Sequence, residues 1–265
     1  NAEGEIPQPA IERLKGIGQW MKVNSESIYE TTASPFYKLP WGRCTKKTFI
    51  NGATLYLHVF DWPKDGKLVL PGLKNKVQQA YLLGDLRKLK TTSGENSVTV
   101  ELPAKPLDVI DTVVALKVEG KLDVKLVVPG QNNEGVVELT AKMADIHNVF
   151  GSHAKLEGEK GNENVGSWIK DGAWVEWMFE VKSKGVFEIV ADVAVKSPET
   201  KCTVTVGAAT LQAEVPSTGG ENQYKQVSLG QVKISKAGVH KLRIKPVKKK
   251  WNPMNLRSVL LRPAN

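Results

Sequence analysis

Cysteine is almost absent from this chain. Cys44 and Cys202 are the only two in 265 residues, too few for a disulfide framework and without metal-ligand spacing. Histidine is nearly as scarce: His58, His147, His153 and His240 show neither metal spacing nor a nucleophile partner in a recognisable motif. No metal site is therefore expected. No apolar run approaches the roughly 20 residues that span a bilayer, so no membrane partner is expected either. Arginine supplies only six of the 37 cations. The net charge of +9 invites a nucleic-acid reading, but Arg, not Lys, forks onto phosphates and guanine edges. Nucleic acid is excluded on that ground, while weak attraction to anionic polymers, sulfated glycans included, is favoured. No Gly-rich phosphate loop follows a strand, and no carboxylates stand out as a desolvated acid–base pair. No catalytic residue is assigned.

What remains is an ordinary globular composition, 41% hydrophobic and 25% charged, at a length that suits two domains. Pro7 and Pro9 lead into apolar residues at 10, 11, 14, 17, 18 and 21. That is helical spacing, and Pro9 suits a first turn. The spacing predicts a helix over about 10–22 that buries Leu14, Ile17 and Met21. A lone amphipathic helix needs a surface to dock on: the following domain, a neighbouring chain, or residues outside this sequence. With neither an initiator Met nor a signal peptide, the chain is expected to be a fragment of a longer protein.

From about residue 36 the period becomes two. Strands are expected at 45–51, 54–61, 67–70, 78–83, 97–102 and 112–118, punctuated by Gly and Pro. In the 54–60 run, Leu55, Leu57 and Val59 share one face, and Tyr56, His58 and Phe60 share the other. Both faces are largely apolar, so this strand should be central and covered on two sides, with His58 as a hydrogen-bonded core residue. The polar, turn-rich stretch 129–135 is a connector. A second strand set follows at 136–140, 174–181, 185–195, 201–206, 208–215, 224–232, 238–245 and 258–262. The fold class is all-β: two consecutive antiparallel β-sandwiches, jelly-roll-like, preceded by one α-helix.

The aromatics carry the functional signal. Trp174 and Trp177 sit three apart in a strand and face opposite ways, so at least one belongs to the core. Trp168 follows a polar loop, and Trp251 sits in a loop beside Asn252, Pro253 and Asn255. Loop tryptophan beside amides suits sugar, because pyranose C–H faces stack on rings while Asn donates to and accepts from hydroxyls. The same tryptophans could instead plug the sandwich end. Both readings stay open.

The run Asn1-Ala2-Glu3-Gly4-Glu5-Ile6-Pro7, followed by Ile11-Glu12-Arg13-Leu14, Ile17-Gly18-Gln19-Trp20 and Val23-Asn24-Ser25-Glu26-Ser27-Ile28-Tyr29, resembles the end of the catalytic barrel in the retaining α-L-fucosidases of glycoside hydrolase family 29. The resemblance continues through Trp41-Gly42-Arg43-Cys44-Thr45, Leu55 to Pro63, Ala80 to Gly84 and Pro106-Leu107-Asp108 into Thr112 to Leu116. It covers about 1–120. The second half resembles carbohydrate-binding modules of families 6 and 35, through Asn164-Val165-Gly166-Ser167-Trp168, Gly172 to Trp177, Gly185-Val186-Phe187 and Met254 to Leu261.

These resemblances imply the last loop and helix of a truncated (β/α)8 barrel at 1–34, a fucosidase-type β-sandwich at 35–124 and a module-like β-sandwich at 125–265. They place sugar contacts at Trp168, Trp251 and Asn255, leave room for a structural calcium in the second sandwich, and imply no other cofactor. The family's two catalytic carboxylates would lie in the barrel, upstream of Asn1. The chain should then be inactive alone on aryl α-L-fucosides. Its expected partners are fucosylated or other glycans and the missing barrel, and its expected location is secreted or periplasmic. The alternative is a purely structural or assembly role without sugar binding.

Overall fold

The computed structural model describes residues 4–159, 161–196 and 199–264. It divides into two compact units, Asn1–Val127 and Val128–Asn265.

The first unit opens with helix α1 (Gln8–Asn24), with Pro9 in the first turn, where a missing N–H goes unnoticed. Nine strands follow: β1 (Thr32–Ala33), β2 (Gly42–Phe49), β3 (Gly52–Val59), β4 (Lys67–Pro71), β5 (Val77–Leu82), β6 (Lys88–Leu89), β7 (Thr91–Ser93), β8 (Ser97–Glu101) and β9 (Thr112–Glu119). They form an antiparallel sheet in the order β1-β2-β3-β9-β5-β6 and a smaller one in the order β4-β8-β7. Strand β3 is central, as its two apolar faces require. Leu55, Leu57 and Val59 join Leu68, Leu70, Val98, Val100, Val114 and Leu116 in the core between the sheets. Tyr56 lies on the other face with Tyr81, Leu83, Val113 and Ala115, where Trp20 of α1 packs on them. His58 is buried, with its Nδ1 2.9 Å from Asp111.

The helix is where expected, but within this chain the following domain does not cover Leu14 and Ile17. Leu14 and Ile17 are each 58% exposed, and Met21 is half-buried. The helix docks instead through Trp20, whose indole N–H donates to the Asp111 carbonyl at 2.8 Å. One large ring with a hydrogen bond anchors one end of α1, which leaves the Leu14–Ile17 turn in solvent. Ile17 and Val23 then form one wall of a groove of about 640 Å³, opposite Leu107 and Ile110.

The second unit has eleven strands: β10 (Val137–Thr140), β11 (Asp145–Asn148), β12 (Lys155–Glu157), β13 (Asn164–Gly166), β14 (Ala173–Val181), β15 (Gly185–Ala194), β16 (Glu199–Val206), β17 (Ala209–Pro216), β18 (Lys225–Ile234), β19 (Gly238–Pro246) and β20 (Asn255–Pro263). One sheet runs β12-β13-β20-β15-β18 with β10 also on β20; the other runs β11-β14-β19-β16-β17. Trp177, Phe179, Ile189, Leu242, Ile244, Val259 and Leu261 fill the space between them. Two bulges interrupt β15, at Ile189/Val190 against β18 and at Asp192/Val193 against β20. Gly230 takes φ +115° at the first of these, a conformation glycine adopts without steric cost.

Both cysteines are free and buried, and burial pushes each thiol pKa up to about 12. They are inert core residues. Among the described residues, no group of three or more His, Cys, Asp or Glu is placed to hold a metal ion. Among the described residues, no helix is long and apolar enough to cross a membrane.

Candidate functional site

The antiparallel registers of the second unit bring several connections to one end. Asn148 pairs with Ala173, Cys202 with Pro246, Ala194 with Asn255, and Val193 with Lys225. The turns after β11, β13, β17 and β19 therefore gather there. Trp168 and Trp251 meet at this end with ring centroids 4.7 Å apart.

Their roles differ. Trp168 is 1% exposed, and its indole N–H donates to the Ala173 carbonyl at 3.2 Å. It plugs the core between the sheets, so the expectation that it offers a free stacking face is corrected. The cause lies in the connection itself: after β13 the chain crosses from one sheet to the other, and the ring fills the gap. Trp251 is half-buried and donates its N–H to the Trp168 carbonyl at 3.2 Å. One ring face thus rests on Trp168 while the residue keeps some exposure. Asn252 holds the turn in place through the Glu199 carbonyl and the Thr200 hydroxyl. Asn255 is also half-buried, with its amide donating to the Glu221 carbonyl at 2.9 Å.

Next to Asn255 is a pair that sequence reasoning missed. The Arg257 guanidinium lies 3.5 Å from the centroid of the Tyr224 ring. The bulge at Asp192/Val193 pairs Asp192 with Ser258 and Val193 with Leu256, leaving Arg257 without an opposing residue. Among the described residues, Arg257 Nε is buried with no hydrogen-bond partner. Burial raises the Asp192 pKa, and the Arg257 charge opposes that shift. Burial likewise raises the Tyr224 phenol, with Arg257 pulling it down and Asp192 and Glu157 pushing it up. Glu157 accepts a hydrogen bond from Ser167 at 2.5 Å. An aromatic ring, a guanidinium and carboxylates in one cluster can donate to and accept from sugar hydroxyls at once. The only sequence signal was composition: Tyr224 closes a Gly-rich turn, and Arg257 lies two residues after Asn255.

Trp174 sits on the outer face of the other sheet. His147 stacks on it at 4.8 Å and 6°, and Lys245 Nζ lies 5.4 Å from its centroid. Beside it, Glu176 is buried and contacts Lys241 and Arg243, each at 2.8 Å, with His147 Nε2 at 3.5 Å. Burial would raise the Glu176 pKa, but hydrogen bonds and charge from Lys241 and Arg243 outweigh it and lower the value below 4.5. A lowered carboxylate stabilises the fold above its unfolded pKa, and that contribution disappears as pH falls through the folded value. Glu176→Gln is therefore expected to destabilise the second unit by about 2 kcal/mol at pH 7. Melts of variant and parent should converge as the pH falls through the lowered Glu176 value; an equal gap at neutral and strongly acid pH would refute the assignment.

Residues 147–262 match the family model for the carbohydrate binding module (family 6). An α-L-fucosidase of Dictyostelium discoideum is 35% identical over 104 residues, 39% of this chain and 21% of that protein. The human tissue α-L-fucosidase is 28% identical over 101 residues, 36% and 21% of the two chains. The chain thus spans about a fifth of the length of these relatives. Among solved structures, an α-L-fucosidase from Vibrio sp. strain EJY3 aligns with 98% of this chain and 46% of its own, at 21% identity and TM-score 0.47. A stretch matching the family 6 model thus shares this chain with a stretch similar to α-L-fucosidases.

Proposed function

We propose that this chain is an accessory, non-catalytic portion of an α-L-fucosidase-like glycoside hydrolase, with a second unit that binds glycan at its loop end. The observation that carries the reading is the Tyr224–Arg257 pair two residues from Asn255, in the same stretch as the half-buried Trp251 and inside the residues that match a carbohydrate-binding family. Trp251 offers partial ring surface, and Arg257 with Asp192 and Glu157 supplies paired donors and acceptors. The site has the character of a shallow, wet sugar subsite. Near-millimolar affinity, about −4 kcal/mol, is within reach of one sugar ring and a few hydrogen bonds. The first unit would support the catalytic barrel, with the groove beside Trp20 and the exposed Leu14 and Ile17 as contact surface. A secreted or periplasmic location goes with a polymeric glycan ligand.

Titration of fucosylated oligosaccharides into the chain and its Arg257→Ala variant tests the binding half. The variant is expected to lose at least tenfold in affinity, about 1.4 kcal/mol, while its melting temperature shifts little. Unchanged affinity in a folded variant would remove the assignment.

A second reading has its own observation. Trp168 is fully buried, and Trp251 rests on it with its N–H satisfied, as a structural plug would. On that reading the loop end closes the sandwich and binds no sugar, and neither protein would respond to glycan in the titration.

A further inference from the structure

The turn immediately before Trp251 is built from three consecutive lysines, Lys248, Lys249 and Lys250, all exposed. The backbone clamps them. Lys250 N–H donates to the Val247 carbonyl, Val247 N–H to the Lys201 carbonyl, and Lys201 N–H to the Lys250 carbonyl, each at 3.0 Å. Lys249 is held at φ +63°, a left-handed conformation that costs a residue with a Cβ and marks a site worth a functional question. The nearest carboxylates on β16 and β17, Glu199 and Glu214, are engaged by Lys201 at 3.7 and 2.8 Å. Among the described residues, none of the three turn lysines forms an ion pair within 4 Å, although the Lys250 charge helps to lower the Glu214 pKa. Lys170, two residues after Trp168 in the neighbouring connection, is also exposed and forms none.

A rigid turn that concentrates like charges beside an aromatic ring is electrostatically unfavourable by itself and favourable next to a polyanion. A neutral glycan gives no use for it. Resting on the glycan-binding reading above, we propose that the loop end takes an anionic polysaccharide. Sulfate or carboxylate groups along the polymer meet the 248–250 turn while a sugar ring occupies the adjoining site at Trp251, Asn255 and Arg257. Ammonium groups suit this task, since they act as point charges that tolerate varied anion positions.

The test compares a sulfated α-L-fucan, the same polymer after chemical desulfation, and polygalacturonate, by titration into the intact chain at low and high salt. At least one anionic polymer should bind about tenfold tighter than the neutral one at low salt, and the advantage should shrink as salt rises. The one that binds identifies sulfate or carboxylate as the recognised group. Lys248→Gln/Lys249→Gln/Lys250→Gln should remove that advantage, about 1.4 kcal/mol spread over three exposed contacts, and leave desulfated binding and the melting temperature unchanged. Equal binding of neutral and anionic polymers would overturn the proposal and leave the glycan reading standing. Binding to none would end both. Equally tight binding to vesicles containing anionic lipid would also overturn it, because the turn would then be an unselective basic surface.

Discussion

Trp168→Ala is expected to cost the second unit about 3–5 kcal/mol, the range for deleting a fully buried large ring. The ring is 1% exposed and its N–H is bonded inside the core. Its removal also takes away the floor under Trp251, whose centroid lies 4.7 Å away. For a domain of this size the melting temperature should fall by roughly 10–20 °C. Differential scanning calorimetry or denaturant unfolding reads it directly. A shift of only a degree or two would mean that the ring does not fill the gap between the sheets. Because this substitution damages the fold, loss of sugar binding in it would carry no information about the site.

Trp20→Ala should release helix α1 from the first unit. Gly16 and Gly18 lie in its middle, and each costs about 1 kcal/mol of helix stability relative to Ala. A 17-residue helix with that handicap is marginal in water without a docking contact. The docking surface centres on Trp20, which packs on Tyr56, Tyr81, Leu83, Val113 and Ala115 and bonds the Asp111 carbonyl. In the variant, amides of α1 should exchange nearly as fast as an unstructured segment, while β3 and β9 keep their protection. Persistent protection across the whole helix would show that another contact holds it.

Much of the fold was legible in the sequence because burial writes period-two patterns. The 54–60 run displays apolar residues on both faces, and β3 is central for that reason; His58 is the buried, hydrogen-bonded histidine that such a strand requires. Trp177 is core and Trp174 is not, as their spacing required of at least one. The short strands β11, β12 and β13 were not visible. Three or four residues carry too little pattern, and only pairing, of β11 with β14, β12 with β13 and β13 with β20, holds them extended. Helical spacing marked α1, but periodicity identifies an apolar stripe without saying whether anything covers it; Leu14 and Ile17 remain in solvent.

The site was less legible than the fold. Trp168 and Trp251 have similar loop surroundings in the sequence, yet one is a plug and the other half-buried. That difference depends on which loop crosses between the sheets. The Tyr224–Arg257 pair joins residues 33 positions apart across a bulge that no local pattern announces.

The central claim is that the loop end of the second unit binds glycan. Amide chemical-shift mapping of the chain during titration with fucosylated oligosaccharides tests it most directly, since it needs no mutation and reports location along with affinity. Saturable shifts are expected at Trp251, Asn255, Arg257 and Tyr224, including the Trp251 indole N–H, with the Trp168 indole moving less. Shifts confined to other surfaces, or none up to tens of millimolar ligand, would contradict the account and leave the second unit a structural module.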